Sequence, residues 1–178
     1  MPMQIKITFD PRGLDAFKCA TEVLGTEKLN RALHYSLDQV GRKLSTQVRK
    51  ELVKQTAIPR DEVNRSLRDI QSGALHLEYT IEGISHHEPL SRSWFRPVQQ
   101  SGGISAAPWN TPRTFRGTFL DRIAGWAFKR VGDHGRRMLW GPSLAVEMDR
   151  GLVPVAFKAF GDQLLPLTIE KKLKQFMP

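Results

Sequence analysis

Cysteine is nearly absent from this sequence, with Cys19 the single copy among 178 residues. One thiol excludes an internal disulfide framework and a cysteine cage for zinc. It fits a reducing compartment, with Cys19 read as a small buried apolar residue. No N-terminal signal pattern is visible, and no apolar run approaches the roughly 18 residues of a membrane span, so no membrane partner is expected. The motifs of common chemistries are missing too. Lys43 and Ser45 follow no glycine-rich loop, GxGxxG does not occur, and no GxSxG elbow singles out a serine. The carboxylates are scattered over polar faces without a paired-acid arrangement. His86, His87 and Glu88 are adjacent, but adjacent side chains diverge, and no second Cys/His cluster completes a metal site; a solvated loop is the reading. No enzyme, metal or cofactor is expected.

What is present is organised around one stretch, residues 27–55. Leu29, Leu33, Leu37, Val40, Leu44, Val48 and Leu52 recur at spacings of three and four, which places them in one stripe of a helix. Thr26 suits the N-cap, Glu27 the first turn, and Lys50 and Lys54 the far end. Such a helix is about 43 Å long, longer than a small domain is wide, so part of it is expected to reach a neighbouring subunit. Its stripe is expected to pack on a sheet. Its basic face (Arg42, Lys43, Arg49, Lys50, Lys54) reads as solvated surface, because Asp38 and Glu51 are interleaved.

Around it the pattern predicts a strand over 4–9 and a short helix from Asp10-Pro11 to Gly25. Ala57-Ile58-Pro59 breaks the long helix, and a second short helix buries Val63, Leu67 and Ile70. Residues 74–82 alternate most cleanly and read as a strand with Leu75, Leu77, Tyr79 and Ile81 on one face. Residues 83–114 are rich in Gly, Pro and Ser, with strand-like pieces near 93–95 and 104–106, and read as a projecting loop or arm. A hairpin follows, with strands 126–131 and 136–140 around Gly132-Asp133-His134-Gly135, ended by Gly141-Pro142-Ser143. Residues 155–178 form a helical region bent or split at Pro166. The fold class is therefore α+β, one domain over 1–178, with the long amphipathic helix on a mostly antiparallel sheet.

The charge of +9 is uneven. Residues 91–140 hold nine Lys/Arg against Asp121 and Asp133, while the flanking segments 1–90 and 141–178 are each close to neutral. All four tryptophans, Trp94, Trp109, Trp126 and Trp140, lie in that window. Arginine and tryptophan are enriched at interface hot spots, and together they also suit nucleic acid, with arginines on phosphate and rings on bases. The candidate contact residues are Arg92, Trp94, Arg96, Trp109, Arg113, Arg116, Arg130, Arg136 and Arg137. Trp126 is expected in the core.

Gly125 to Val131 (GWAFKRV), a short glycine-containing turn, and then Arg136 to Ser143 (RRMLWGPS) form an ordered series. It resembles the bacteriophage minor tail protein Z family, in which a strand ending Phe-x-Arg returns through a hairpin closing on Tyr-Gly-Pro-Ser. This chain has Trp140 for that Tyr, and Met138-Leu139 for the usual Leu-Pro-Ile. Arg49-Lys50-Glu51-Leu52 with Thr56 and Pro59 to Val63 is similar to the family's basic helix and second short helix. Phe115 to Phe119 is similar to its strand ending Gly-x-Phe. The resemblance spans roughly residues 27–145. It implies a tail-completion or neck protein of a long-tailed phage virion, made in the host cytoplasm. It implies a homo-oligomeric ring, hexameric in expectation, that contacts the tail terminator, tail tube and neck or connector proteins. Basic residues facing the lumen would meet DNA nonspecifically. A reading from another class is a small basic nucleic-acid-binding protein using the 91–140 window.

Overall fold

A computed structural model describes residues 3–8, 15–73, 76–84, 87–91 and 94–176. Strand β1 (Met3–Thr8) precedes helix α1 (Asp15–Thr56), about 63 Å of unbroken helix at 42 residues. The stretch 27–55 is thus continuous but belongs to a longer helix. Thr26 lies inside it and is not a cap, and Gly25 ends no separate helix. The proposed cap at Asp10 falls outside the described residues.

The stripe is buried, but only partly on a sheet. Leu29, Ala32 and Leu33 pack against Ile169 and Leu173, and Leu37, Val40 and Leu44 against Phe157, Leu164 and Leu165. These partners belong to helix α4 (Leu152–Phe176), which runs antiparallel to α1 and continues through Pro166 without a break in its secondary structure. Val48 and Leu52, further along α1, enter the main core with Tyr79, Ile81, Leu90, Ile104 and Leu144. The expectation that the stripe packs on a sheet is corrected for Leu29 to Leu44, which are covered mainly by another helix, with Leu77 beside it.

Helix α1 ends where Ala57 takes a left-handed φ of 60° and donates its N–H to the Val53 carbonyl at 3.1 Å. Glycine usually fills such a position, because a side chain there is strained by about 1–2 kcal/mol. Ala57→Gly loses a half-buried methyl, worth at most about 0.8 kcal/mol. A net gain of roughly 0.5–1 kcal/mol is expected, read as a raised Tm; a lowered Tm would contradict it.

Pro59 then precedes helix α2 (Arg60–Ser66), which buries Val63. The chain turns directly into strand β2 (Leu67–Ile70), so Leu67 and Ile70 are not helical as expected, and Ile70 is exposed. Strand β3 (Glu78–Gly83) is the centre of an antiparallel sheet ordered β1-β3-β2. It is shorter than the strand expected over 74–82; residues 74 and 75 lie outside the described set.

The described residues of 83–114 are built into the fold and form no projecting arm. They supply β4 (His87–Pro89), β5 (Val98–Gln100), β6 (Gly103–Ala106), a 3-10 turn (Pro108–Asn110) and the start of β7 (Arg113–Arg116). Leu90, Phe95, Ile104 and Ala106 are core residues. Trp94 and Phe95 form a turn, with both amides donating to the Ser91 carbonyl, where a strand was expected. Strands β5-β6-β7 make an antiparallel sheet.

Strand β8 (Thr118–Leu120) leads to the hairpin β9 (Ala127–Val131) and β10 (Gly135–Met138), forming an antiparallel sheet ordered β10-β9-β8. Gly141-Pro142-Ser143 does not close this hairpin. It lies in β11 (Trp140–Ser143), which pairs antiparallel with β4 and runs into the short helix α3 (Leu144–Met148).

Candidate functional site

The arginine and tryptophan window separates in space into a hairpin and a groove. On β9 and β10, Arg130 lies directly opposite Arg136, and every residue from Lys129 to Arg137 is exposed. Like charges opposed across a strand pair repel. Here each guanidinium is drawn over an aromatic face instead: Arg130 lies 5.7 Å from the Phe119 ring centroid and Arg136 5.0 Å from that of Phe128. The two phenylalanines stack with centroids 6.0 Å apart. Asp121 braces the base of this face. It accepts the Ile123 and Ala124 amides at 2.9 and 3.0 Å and pairs with Arg136 at 3.4 Å. The Ala124 and Ile123 amides, followed by Arg136, hold its carboxyl below the usual value. Arg137 is on the opposite face of the hairpin, beside Lys129.

Trp126 and Trp140 stand at the base of the hairpin, 40% and 52% exposed. The expectation that Trp126 is core is therefore overturned. The segment around Leu90 fills the base in its place, with the Ala127 amide donating to Leu90 O and the Leu90 amide to Leu139 O.

The second group surrounds a groove of about 470 Å³ whose lining includes Ala57, Trp94, Phe95, Arg96, Val98 and Asn110. Arg96 and Asn110, like neighbouring Trp109, have left-handed φ values of 44°, 51° and 57°. Trp109 is held there by its indole N–H, which donates to Glu147 Oε1 at 2.8 Å. Gln55 Nε2 donates to the other oxygen of the same buried carboxylate at 2.6 Å, so one acid ties α1, the 3-10 turn and α3 together. Arg113 lies 5.4 Å over the Trp109 ring. Arg116 is exposed on β7, opposite Gly103, and joins neither group. Arg92 lies outside the described residues.

Two features were not expected from sequence. The first is the outer face of α4, where Leu152, Val155, Phe160 and Leu167 are 66, 65, 41 and 64% exposed. They lie within one broad face spanning about 22 Å. Leu152–Gln175 is long and apolar enough to cross a membrane, and little of its most apolar stretch is buried. In the sequence the run is inconspicuous because Lys158, Asp162 and Pro166 interrupt it. In the fold its other face packs along α1. The second feature is a groove between α1 and α2 lined by Arg49, Lys50, Lys54 and Arg60. Arg49 is not the solvated side chain expected: it pairs with Asp69 at 3.2 Å, a carboxylate that also accepts from Ser45 Oγ.

A serine, a histidine and an aspartate do meet, but not as a nucleophile relay. Ser72 Oγ lies 2.9 Å from His34 Nδ1 and donates to Asp38 Oδ1 at 2.9 Å, while Asp38 approaches that same Nδ1 at 3.9 Å. A relay needs serine and acid on different ring nitrogens. This cluster ties α1 to the chain after β2. Among the described residues, no group of three or more His, Cys, Asp and Glu side chains could hold a metal ion. His87 is exposed, its Nδ1 3.4 Å from Gly141 O; His86 lies outside the described residues. No protein-family model, curated protein or solved structure matches the chain.

Proposed function

We propose that this chain is a structural virion protein, a tail-completion or neck component that assembles as a ring at the head-proximal end of a phage tail and assists head–tail joining. One observation carries the reading: α4 is apolar on two faces, and α1 covers only one of them. A helix apolar all round is normally buried, and an exposed patch of this kind marks a contact surface. In a ring, a neighbouring copy covers the face of Leu152, Val155, Phe160 and Leu167. The exposed hairpin from Lys129 to Arg137 is the element suited to reach the terminator, tube or connector. The resemblance in the hairpin sequence points the same way.

Sedimentation velocity and negative-stain images test the assembly. The wild type should form closed rings. Phe160→Glu with Leu167→Glu should be a folded monomer with the wild-type far-UV circular dichroism and a cooperative melt, since both side chains are exposed in the single chain. A wild type that stays monomeric at every concentration, or a variant that assembles equally well, would overturn the reading.

A further inference from the structure

We propose that the groove between α1 and α2 binds the phosphodiester backbone of a nucleic acid. The groove has a volume of about 320 Å³ and is lined by Thr46, Arg49, Lys50, Val53, Lys54, Arg60 and Asn64. Four cations and no acid form that lining. Two of the four are already engaged, Arg49 with Asp69 at 3.2 Å and Lys54 with Glu51 at 3.0 Å. Lys50 and Arg60, both exposed, pair with no acid among the described residues, and neither do Arg42 and Lys43 further along α1.

Helical spacing aligns these groups. Positions 42, 43, 46, 50, 53 and 54 fall on one side of α1, so Arg42, Lys43, Lys50 and Lys54 form a line about 18 Å long. Arg60 flanks its end from α2, and Asn64 adds an amide donor. Val53 and the aliphatic stems give the groove an apolar floor that keeps the charged heads at the rim. A single protein carboxylate would satisfy one or two of these heads. Arg42, Lys43 and Lys50 in that line, with Arg60 beside it, pair with no acid among the described residues; such an array fits a polyanion of regular repeat, and the phosphodiester backbone is such a repeat. Nothing in the lining is placed to read a base, so the contact is independent of sequence.

The proposal stands apart from the ring reading. It is tested on a duplex in solution, whereas assembly is read by sedimentation. Binding of a short mixed-sequence DNA duplex is followed by fluorescence anisotropy over a salt series. At roughly −0.9 per neutralised phosphate, four contacts predict a slope of log affinity on log salt of about −3.6. Lys50→Gln with Arg60→Gln should reduce that slope by about two and the affinity by roughly fifty-fold at 0.1 M monovalent salt. Lys50→Gln alone should reduce the slope by about one. The triple variant Arg130→Ala, Arg136→Ala, Arg137→Ala should keep the wild-type slope. Wild-type affinity in the Lys50/Arg60 variant would overturn the proposal. So would loss of binding confined to the hairpin variant, or a wild type that binds polyglutamate more tightly than the duplex.

Discussion

Leu44→Asp is expected to leave no folded protein. Leu44 is completely buried at the centre of the α1–α4 contact, beside Leu37 and Val40 and against Phe157, Leu164 and Leu165. Gly161 of α4 comes close enough that a methyl placed on it would lie 3.9 Å from Leu44 Cδ1, so the two helices approach closely here. Deleting the leucine side chain alone costs about 2–5 kcal/mol. An aspartate adds an unpaired charge in apolar surroundings, a further cost of several kcal/mol. A domain of this kind is stable by about 5–15 kcal/mol in total, so the sum consumes most or all of it. Far-UV circular dichroism and a thermal melt are the readout. A soluble variant with an unchanged Tm would show that the stripe is not core. Leu44→Ala should give a folded protein with a clearly lowered Tm.

Gly41→Ala is expected to destabilise the protein even though alanine is the better helix former. The two residues differ by about 1 kcal/mol in helix propensity, in favour of alanine. At this position, however, a Cβ would lie 2.4 Å from Cγ and Cδ2 of Tyr79 and 2.6 Å from Cδ1. Real carbon contacts do not reach those distances, so either the ring or the helix must move. Tyr79 is fully buried in the middle strand of the β1-β3-β2 sheet, and among the described residues no group stands at hydrogen-bonding geometry to its hydroxyl. Burial, reinforced by the nearby Asp69 carboxylate, pushes that phenol up to about 12, so it stays neutral in the working pH range. The ring therefore has little room to yield. Overpacking costs about 1–3 kcal/mol and outweighs the propensity gain, for a net loss near 1–2 kcal/mol. On a Tyr79→Ala background the sign should reverse, with Gly41→Ala raising the Tm. A raised Tm in the wild-type background would mean that the ring does not rest on the helix.

Local periodicity made part of this fold legible. The spacing of Leu29 through Leu52 predicted the helix and its buried side, and the alternation around Tyr79 and Ile81 predicted β3. What periodicity could not supply was the identity of the covering element, because a stripe looks the same whether a sheet or α4 packs on it. Leu67 and Ile70 show the ambiguity of a short apolar pair: their spacing continues the helical pattern of Val63, yet pairing with β3 makes them a strand. Residues 83–114 read as a loop in sequence for a related reason. Their strands are three or four residues long and gain their order from non-local pairing, which leaves little periodic signal. The arginine and tryptophan window was visible from composition, but its division into hairpin and groove was not. The α1–α2 groove was hidden because Arg60 and Asn64 join Lys50 and Lys54 only once the chain reverses at Ala57 and Pro59.

The antiparallel packing of α4 on α1 also sets an order of events at the ribosome. The stripe from Leu29 to Leu44 emerges early, but its cover, Leu152–Phe176, is synthesised only after every strand of the domain. Contacts so distant in sequence form late, because a long loop must close before they can form. Through most of translation the nascent chain therefore carries an apolar stripe that lacks its main cover, with Leu77 alone available to it from the earlier segments. Docking of α4 is then the step that closes the stripe off from water.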